Sequence, residues 1–372
     1  MASGHINKRG DKWRARYRGP DGKERSRTFD TKREAAAWIT EQQSRQIRGE
    51  WVDPARGKIT FRAFSEAWFA RQSWAKPKTK EWVASLLRSQ LVPEWGDIPL
   101  NKIDYDSVAD WIGRLDDELS SSRTRQCGHL LGRILDDAVK GGRLVRHPAR
   151  TVDLPALSTK RVVMPLRVDR VEELATKIGG TWGLLVRFFA YTGLRWAEGI
   201  SLRAGDIDLV RCRVDVLRTQ SEVGGRFHLT DTKTHRRRTV PLPAVLVPDL
   251  TDLMEGKEPG DLIFPWGDHD RPPRSAEFRR AGWTSGLAAV GLTDTRVHDL
   301  RHTCASLLIS KGAPVTVVAR ILGQSPAITM KTYAHLFENE TDAWSQKLSE
   351  DVSNTRAANL RPDEEPPGSS AG

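Results

Sequence analysis

The apolar residues of this chain change their spacing twice, and that change rules out one large uniform fold. From Lys12 to Arg18 the sequence reads Lys-Trp-Arg-Ala-Arg-Tyr-Arg, with apolar and basic side chains alternating. A period of two belongs to a strand with one packed face and one open face. Pro20-Asp21-Gly22 is a turn signal, residues 23–29 supply a second strand, and Asp30-Thr31 caps a helical stretch over 32–47. From Phe61 to about Pro155 the spacing is helical, with helices expected over 61–72, 79–91, 105–119 and 121–140 and a stop at Gly141-Gly142. Residues 150–161 read as a linker. Beyond it come helices over 166–177 and 181–193. Strand-like segments follow at 213–217, 226–230 and 238–240, and helices resume to about residue 349. The polar, proline-bearing end from Asp351 is expected to be a flexible tail. The chain should be mainly α with small β-sheets (α+β), divided as 1–58, 59–155, 156–350 and a tail of 351–372.

Charge narrows the function. The 372 residues carry 59 Lys and Arg against 48 Asp and Glu, a net of +11, and +7 of this lies in residues 1–60, where 15 basic residues face 8 acidic ones. A basic head on nearly balanced bodies points to a polyanion, because neutralising phosphates releases counterions. Arg14, Arg16 and Arg18, followed by Lys23, Arg25 and Arg27, would give a basic sheet backed by a helix, a shape that fits a DNA groove. Three scattered cysteines, Cys127, Cys212 and Cys304, exclude a disulfide framework and a Cys-x-x-Cys metal site. No apolar run approaches the roughly 18 residues of a membrane span, so a cytoplasmic, DNA-associated protein is expected, with no membrane partner.

Four short segments of the C-terminal body carry reactive side chains. In Thr192-Gly193-Leu194-Arg195-Trp196-Ala197-Glu198, Gly193 ends one helix and Arg195 starts the next with Glu198 on its face, which makes a fixed anion receptor. Thr232-Lys233-Thr234-His235-Arg236-Arg237-Arg238 sits between strand-like segments, so Lys233 would project from a hairpin. His298-Asp299-Leu300-Arg301-His302-Thr303 places an imidazole and a guanidinium at i, i+3, a pair suited to phosphate rather than zinc. Last come Leu322-Gly323-Gln324-Ser325 and Tyr333-Ala334-His335-Leu336. The chain has only four tyrosines (Tyr17, Tyr105, Tyr191, Tyr333), so candidates for a tyrosine nucleophile are few.

Together and in this order, the segments resemble the tyrosine recombinase (phage integrase) family, over about residues 60–345. The first 60 residues resemble the arm-type DNA-binding domain of lambda-like and actinobacteriophage integrases. The resemblance implies an N-terminal three-stranded sheet plus helix, a helical SAM-like core-binding domain and a tyrosine recombinase catalytic domain, the last two closing as a clamp on DNA. It makes Arg195 and Arg301 the arginines that hold the scissile phosphate, His298 their hydrogen-bonding or proton-exchanging partner, Lys233 the general acid and Tyr333 the nucleophile. Glu198 becomes the acid that steadies the first arginine and the histidine. Arg236 and Arg237 join the sheet cations as expected DNA contacts. Gln324 stands where the family usually has His or Trp; its amide can donate a hydrogen bond but carries no charge, so somewhat weaker transition-state support is expected.

These residue types suit phosphodiester exchange. Two guanidiniums offset charge that builds on the phosphate oxygens. A phenol of pKa near 10 needs a positive neighbourhood or a base, and a leaving 5′-alkoxide needs a proton. Arginines take the role of a metal, and a phosphotyrosyl bond conserves the energy of the link, so neither metal nor ATP is expected. The implied partners are double-stranded attachment sites, core and arm, and three more copies in a tetrameric synapse. A host DNA-bending protein and an excisionase are candidate accessories. A type IB topoisomerase-like enzyme and a regulator with weakened catalysis are the alternatives.

Overall fold

The computed structural model describes residues 4–49, 51–53, 55–157, 164–231, 237–337 and 341–359. The chain divides into two units, Met1–Arg161 and Val162–Gly372. Among the described residues no helix is long and apolar enough to cross a membrane.

The first unit begins with an antiparallel sheet in the order β1 (Gly4–Arg9), β2 (Lys12–Arg18), β3 (Glu24–Phe29), backed by α1 (Lys32–Ile47). Thr31 and Glu34 form a reciprocal capping box that starts α1. The alternation works as expected on β2: Ala15 and Tyr17 are buried, and Trp13 joins Ala35, Ile39 and Trp38 beneath the sheet. Tyr17 meets Trp38 edge-on at 5.2 Å.

Register then divides the cations. Arg14 pairs with Thr28, Arg16 with Ser26 and Arg18 with Glu24, whereas Tyr17 pairs with Arg25 and Ala15 with Arg27. Opposed residues share a face, so Arg25 and Arg27 alternate to the side of Ala15 and Tyr17, where Arg25 is largely covered while Arg27 stays exposed over Phe29. Arg25 bonds Asp21 at 2.7 and 2.8 Å, pairs with Asp53 at 2.9 Å, and stacks on Trp51. It ties the sheet to the segment after α1. This corrects its placement among the DNA contacts, because two carboxylates already satisfy its guanidinium.

The rest of the unit is helical: α2 (Phe61–Arg71), α3 (Pro77–Leu86), α4 (Val92–Trp95), α5 (Tyr105–Glu118) and α6 (Ser121–Lys140). Thr60, Asp104 and Ser120 cap α2, α5 and α6 through their side-chain oxygens. The helix expected over 79–91 instead passes through a π-turn at Leu87–Leu91. Pro93 is the reason: it has no N–H to give the carbonyl of Ser89. The core holds Phe61, Phe64, Trp68, Trp95, Trp111 and the leucines of α6. Each such side chain contributes about 1.5–3 kcal/mol by leaving water.

In the second unit, α7 (Val168–Ile178) and α8 (Gly180–Thr192) lead into α9 (Trp196–Gly199). Strands β4 (Ile207–Asp208), β5 (Arg213–Val216) and β8 (Arg238–Pro241) form one sheet, and β6 (Arg218–Val223) and β7 (Arg226–Asp231) a separate hairpin. Strand β6 was not expected, because Arg-Thr-Gln-Ser-Glu-Val has no apolar alternation, and it corrects the expected hairpin around Lys233: β7 pairs with β6, while β8 pairs with β5. Helices α10 (Val247–Met254), α11 (Ser275–Phe278), α12 (Thr284–Ala289), α13 (Asp299–Ser310), α14 (Val315–Leu322), α15 (Pro326–Phe337) and α16 (Thr341–Asn359) follow. The tail expected from Asp351 is thus helical as far as Asn359. Residues 341–359 contain neither Gly nor Pro, so polar composition there lacks a stop signal. The rest of the tail lies outside the described residues.

Candidate active site

The site gathers at the C-terminal ends of two helices. Gly193 closes α8 and Gly323 closes α14, both left-handed, with φ of 66° and 62°. A Cβ on Gly193 would come within 2.7 Å of Leu322, and one on Gly323 within 2.7 Å of Arg238. The two helix ends therefore approach as only glycine allows. Their last carbonyls have no partner within the helix and carry the negative end of its dipole.

Arg301 fills that position. It is 3% exposed, and its guanidinium donates to the carbonyls of Gly193 and Leu322, each at 2.6 Å, and to Oε1 of Gln324 at 3.3 Å. A guanidinium has five N–H groups, so this hold leaves donors for an anion. Burial, with Arg195 nearby, lowers its pKa to about 10, which leaves it charged at neutral pH.

Arg195 caps α9, as its position after Gly193 predicted. Glu198 accepts from its backbone N–H and from Nη1, both at 2.9 Å, and Arg195 Nη2 reaches the Gly323 carbonyl at 3.4 Å. Glu198, 2% exposed, also accepts from Arg238 at 2.8 and 3.0 Å. Burial alone would raise its carboxyl, but the Arg238 hydrogen bonds and the charges of Arg238 and Arg195 hold it at about 2. The expectation that Glu198 steadies the histidine is corrected: its oxygens serve two arginines. Arg238 is a residue the sequence reading missed. It sat in a run of basic residues, and nothing local distinguished the one that turns inward.

His298 immediately precedes α13 without capping it through its side chain, its imidazole held below its ordinary pKa by partial burial and by His302, Arg301 and Arg195. Gln324 follows Gly323. Its Nε2 donates to Thr329 Oγ1 at 2.9 Å while its Oε1 takes Arg301, so the amide braces the arginine. Tyr333, on α15, packs with Ala305, Ile309, Val318 and Leu322 and is 4% exposed. Burial pushes its phenol up to about 12 against the pull of Arg301. Its Oη lies 2.9 Å from Nδ1 of His302.

Arg195, Glu198, His298, Arg301, Gln324 and Tyr333 are thus brought together. Lys233 and Arg236 lie outside the described residues, and Arg237 is exposed.

Two cations clamped beside a buried tyrosine, on a helical frame with small sheets, define a tyrosine recombinase site. The model of the Phage integrase family matches residues 169–340, that of the phage integrase N-terminal domain residues 3–49, and that of the phage integrase central domain residues 61–154. The chain belongs to the phage integrase family and is a tyrosine site-specific recombinase. It is 28% identical over 354 residues to the putative prophage phiRv2 integrase of Mycobacterium tuberculosis (strain H37Rv), covering 91% of this chain and 93% of that protein. Its fold is similar to that of the Tn1549 transposon integrase in complex with a circular intermediate DNA, with a TM-score of 0.67, 16% identity, and 78% of this chain against 99% of that one. It is also similar to the lambda integrase tetramer bound to a Holliday junction, with a TM-score of 0.56, 16% identity, and 86% against 95%.

Proposed function

We propose that this recombinase integrates phage or mobile-element DNA into a host chromosome and excises it, through a 3′-phosphotyrosyl intermediate. Arg195 and Arg301 hold the non-bridging oxygens of the scissile phosphate, with His298 beside them. Tyr333 attacks phosphorus, and Lys233 protonates the leaving 5′ oxygen. Glu198 and Gln324 keep the arginines in place. The observation that carries this reading is Arg301, buried and pinned by two backbone carbonyls within one site with Arg195 and Tyr333. A cation fixed before the substrate arrives spends nothing on reorganisation as charge builds.

The open face of the N-terminal sheet, with Arg14, Arg16 and Arg18, binds arm sites, and the helical domain and catalytic domain grip the core site. Four copies assemble on the two partner DNAs, with a host DNA-bending protein and an excisionase setting direction. The phiRv2 and lambda integrases support this assignment by their names, and the lambda tetramer by its junction.

Incubation with a nicked attachment-site duplex, its sequence read from integration junctions, tests the reading. The expected result is a covalent protein–DNA adduct that Tyr333→Phe abolishes. Tight binding with no adduct overturns it.

A further inference from the structure

His302 has no role in the scheme above, yet its imidazole touches the atom that must react. Tyr333 Oη lies 2.9 Å from its Nδ1, and the two rings meet edge-on at 5.6 Å. On its other side His298 closes the stack, ring centroids 5.1 Å apart and nearly perpendicular. Helices α13 and α15 thus aim a nitrogen at the phenol oxygen.

We propose that His302 is the general base of strand cleavage, taking the phenol proton of Tyr333 on Nδ1 as Oη attacks the scissile phosphorus. This rests on the recombinase reading and adds a catalytic residue to it. In the step, the O–H bond of Tyr333 breaks and its proton passes to Nδ1, forming an imidazolium. The Oη–P bond forms, the P–O5′ bond breaks, and the 5′ oxygen takes a proton from Lys233. Rejoining runs the same transfers backwards, with the imidazolium returning its proton to the departing phenol. Nδ1 accepts only in the tautomer that carries its hydrogen on Nε2.

The surroundings fit. Burial, together with the positive charge of Arg301, holds the His302 imidazole below its ordinary pKa, with Asp299 opposing, so it is neutral at pH 7 with a lone pair to offer. The Tyr333 phenol stands at about 12, so a preformed phenolate would be scarce and the proton must leave during attack. Among the described residues, the titratable groups around the pair are His298, Asp299, Arg301 and Cys304 on the His302 side, with Arg195 beyond His298. A phosphodiester seated on the arginines adds negative charge beside the imidazole and raises its proton affinity when it is needed.

The test uses the full chain on the nicked duplex. In His302→Gln the amide oxygen still accepts the phenol's hydrogen bond but takes no proton. Its cleavage rate should fall about 10²–10⁴-fold at unchanged DNA affinity. The acid limb of the wild-type pH–rate profile, where rate falls as the imidazole protonates, should lose about one proton in slope. A substrate with sulfur at the bridging 5′ position leaves as a thiolate, which needs no acid because its pKa is only about 8.5. It should rescue Lys233→Ala and not His302→Gln. A Gln variant that cleaves at the wild-type rate, or that the sulfur substrate rescues, overturns the proposal while a Tyr333-dependent adduct leaves the recombinase reading standing. If the wild type forms no such adduct, both fall together.

Discussion

Arginine serves this protein in two different physical states. On the N-terminal sheet, Arg14 bonds Ser26 at 2.9 Å, and Arg16 pairs with Glu24 at 3.5 Å with side chains 35% and 56% exposed. Such exposed contacts are worth about 0–1 kcal/mol and are screened by salt. Contacts this weak leave the side chains adaptable. In the second unit, Arg301 is buried and Arg238 largely covered, and backbone carbonyls and one carboxylate fix them. The same guanidinium is loosely held at the surface in one region and firmly fixed in the other. The surroundings, not the residue type, decide which.

Removing the shared carboxylate tests the fixed set most severely. Glu198→Gln strips the buried end of its ion pair with the largely covered Arg238 and should destabilise the fold by up to about 3–5 kcal/mol, read as a lower unfolding midpoint in denaturant. The same variant should change the acid response. Because the folded carboxyl sits at about 2, below its unfolded value near 4.5, its stabilisation is complete above pH 4.5 and lost as pH falls toward 2. Glu198→Gln should flatten stability across that window.

Arg301→Lys keeps the charge but cannot span both helix-end carbonyls and a phosphate. Adduct formation should fall about 10²–10³-fold with arm-site affinity unchanged. The sheet arginines should behave in the opposite way. Changing Arg14, Arg16 and Arg18 together to Ala should flatten the salt dependence of arm-site binding by up to about three units of log–log slope, while core-site cleavage stays the same. Arg25→Ala gives the smallest effect: a lower melting temperature, by a few degrees, with no change in the salt slope. A loss of slope in Arg25→Ala would return that residue to the DNA-contacting set and blur the division.

Much of the fold was legible because local periodicity carries it. The alternation in residues 12–18 and the capped helix over 32–47 matched β2 and α1, and Ser121–Lys140 was readable to the residue. Strand β6 and the helix across Asp351 escaped for the converse reason: their polar sequences show no apolar spacing, and pairing or the absence of a breaker decides them. Arg195, Glu198, His298, Arg301, Gln324 and Tyr333 stood out in the sequence as members of short motifs, and the fold gathers those motifs into one place. Arg238 and His302 were visible as letters but not as parts, since their partners lie 40 and 31 residues away.

By itself the sequence determined where the strongly periodic elements lie, β2, α1 and α6 among them, and which residues are chemically equipped to hold a phosphate. Spacing, caps and turn residues act over a few residues, and their effects can be read from order alone. Only the tertiary structure decided that Arg25 faces inward, that one carboxylate holds two arginines, and that Tyr333 rests against His302. Those outcomes depend on strand register and on the close approach of two glycine-ended helices. Register shifts of one residue reverse a face, and helix ends meet according to packing summed over the whole core.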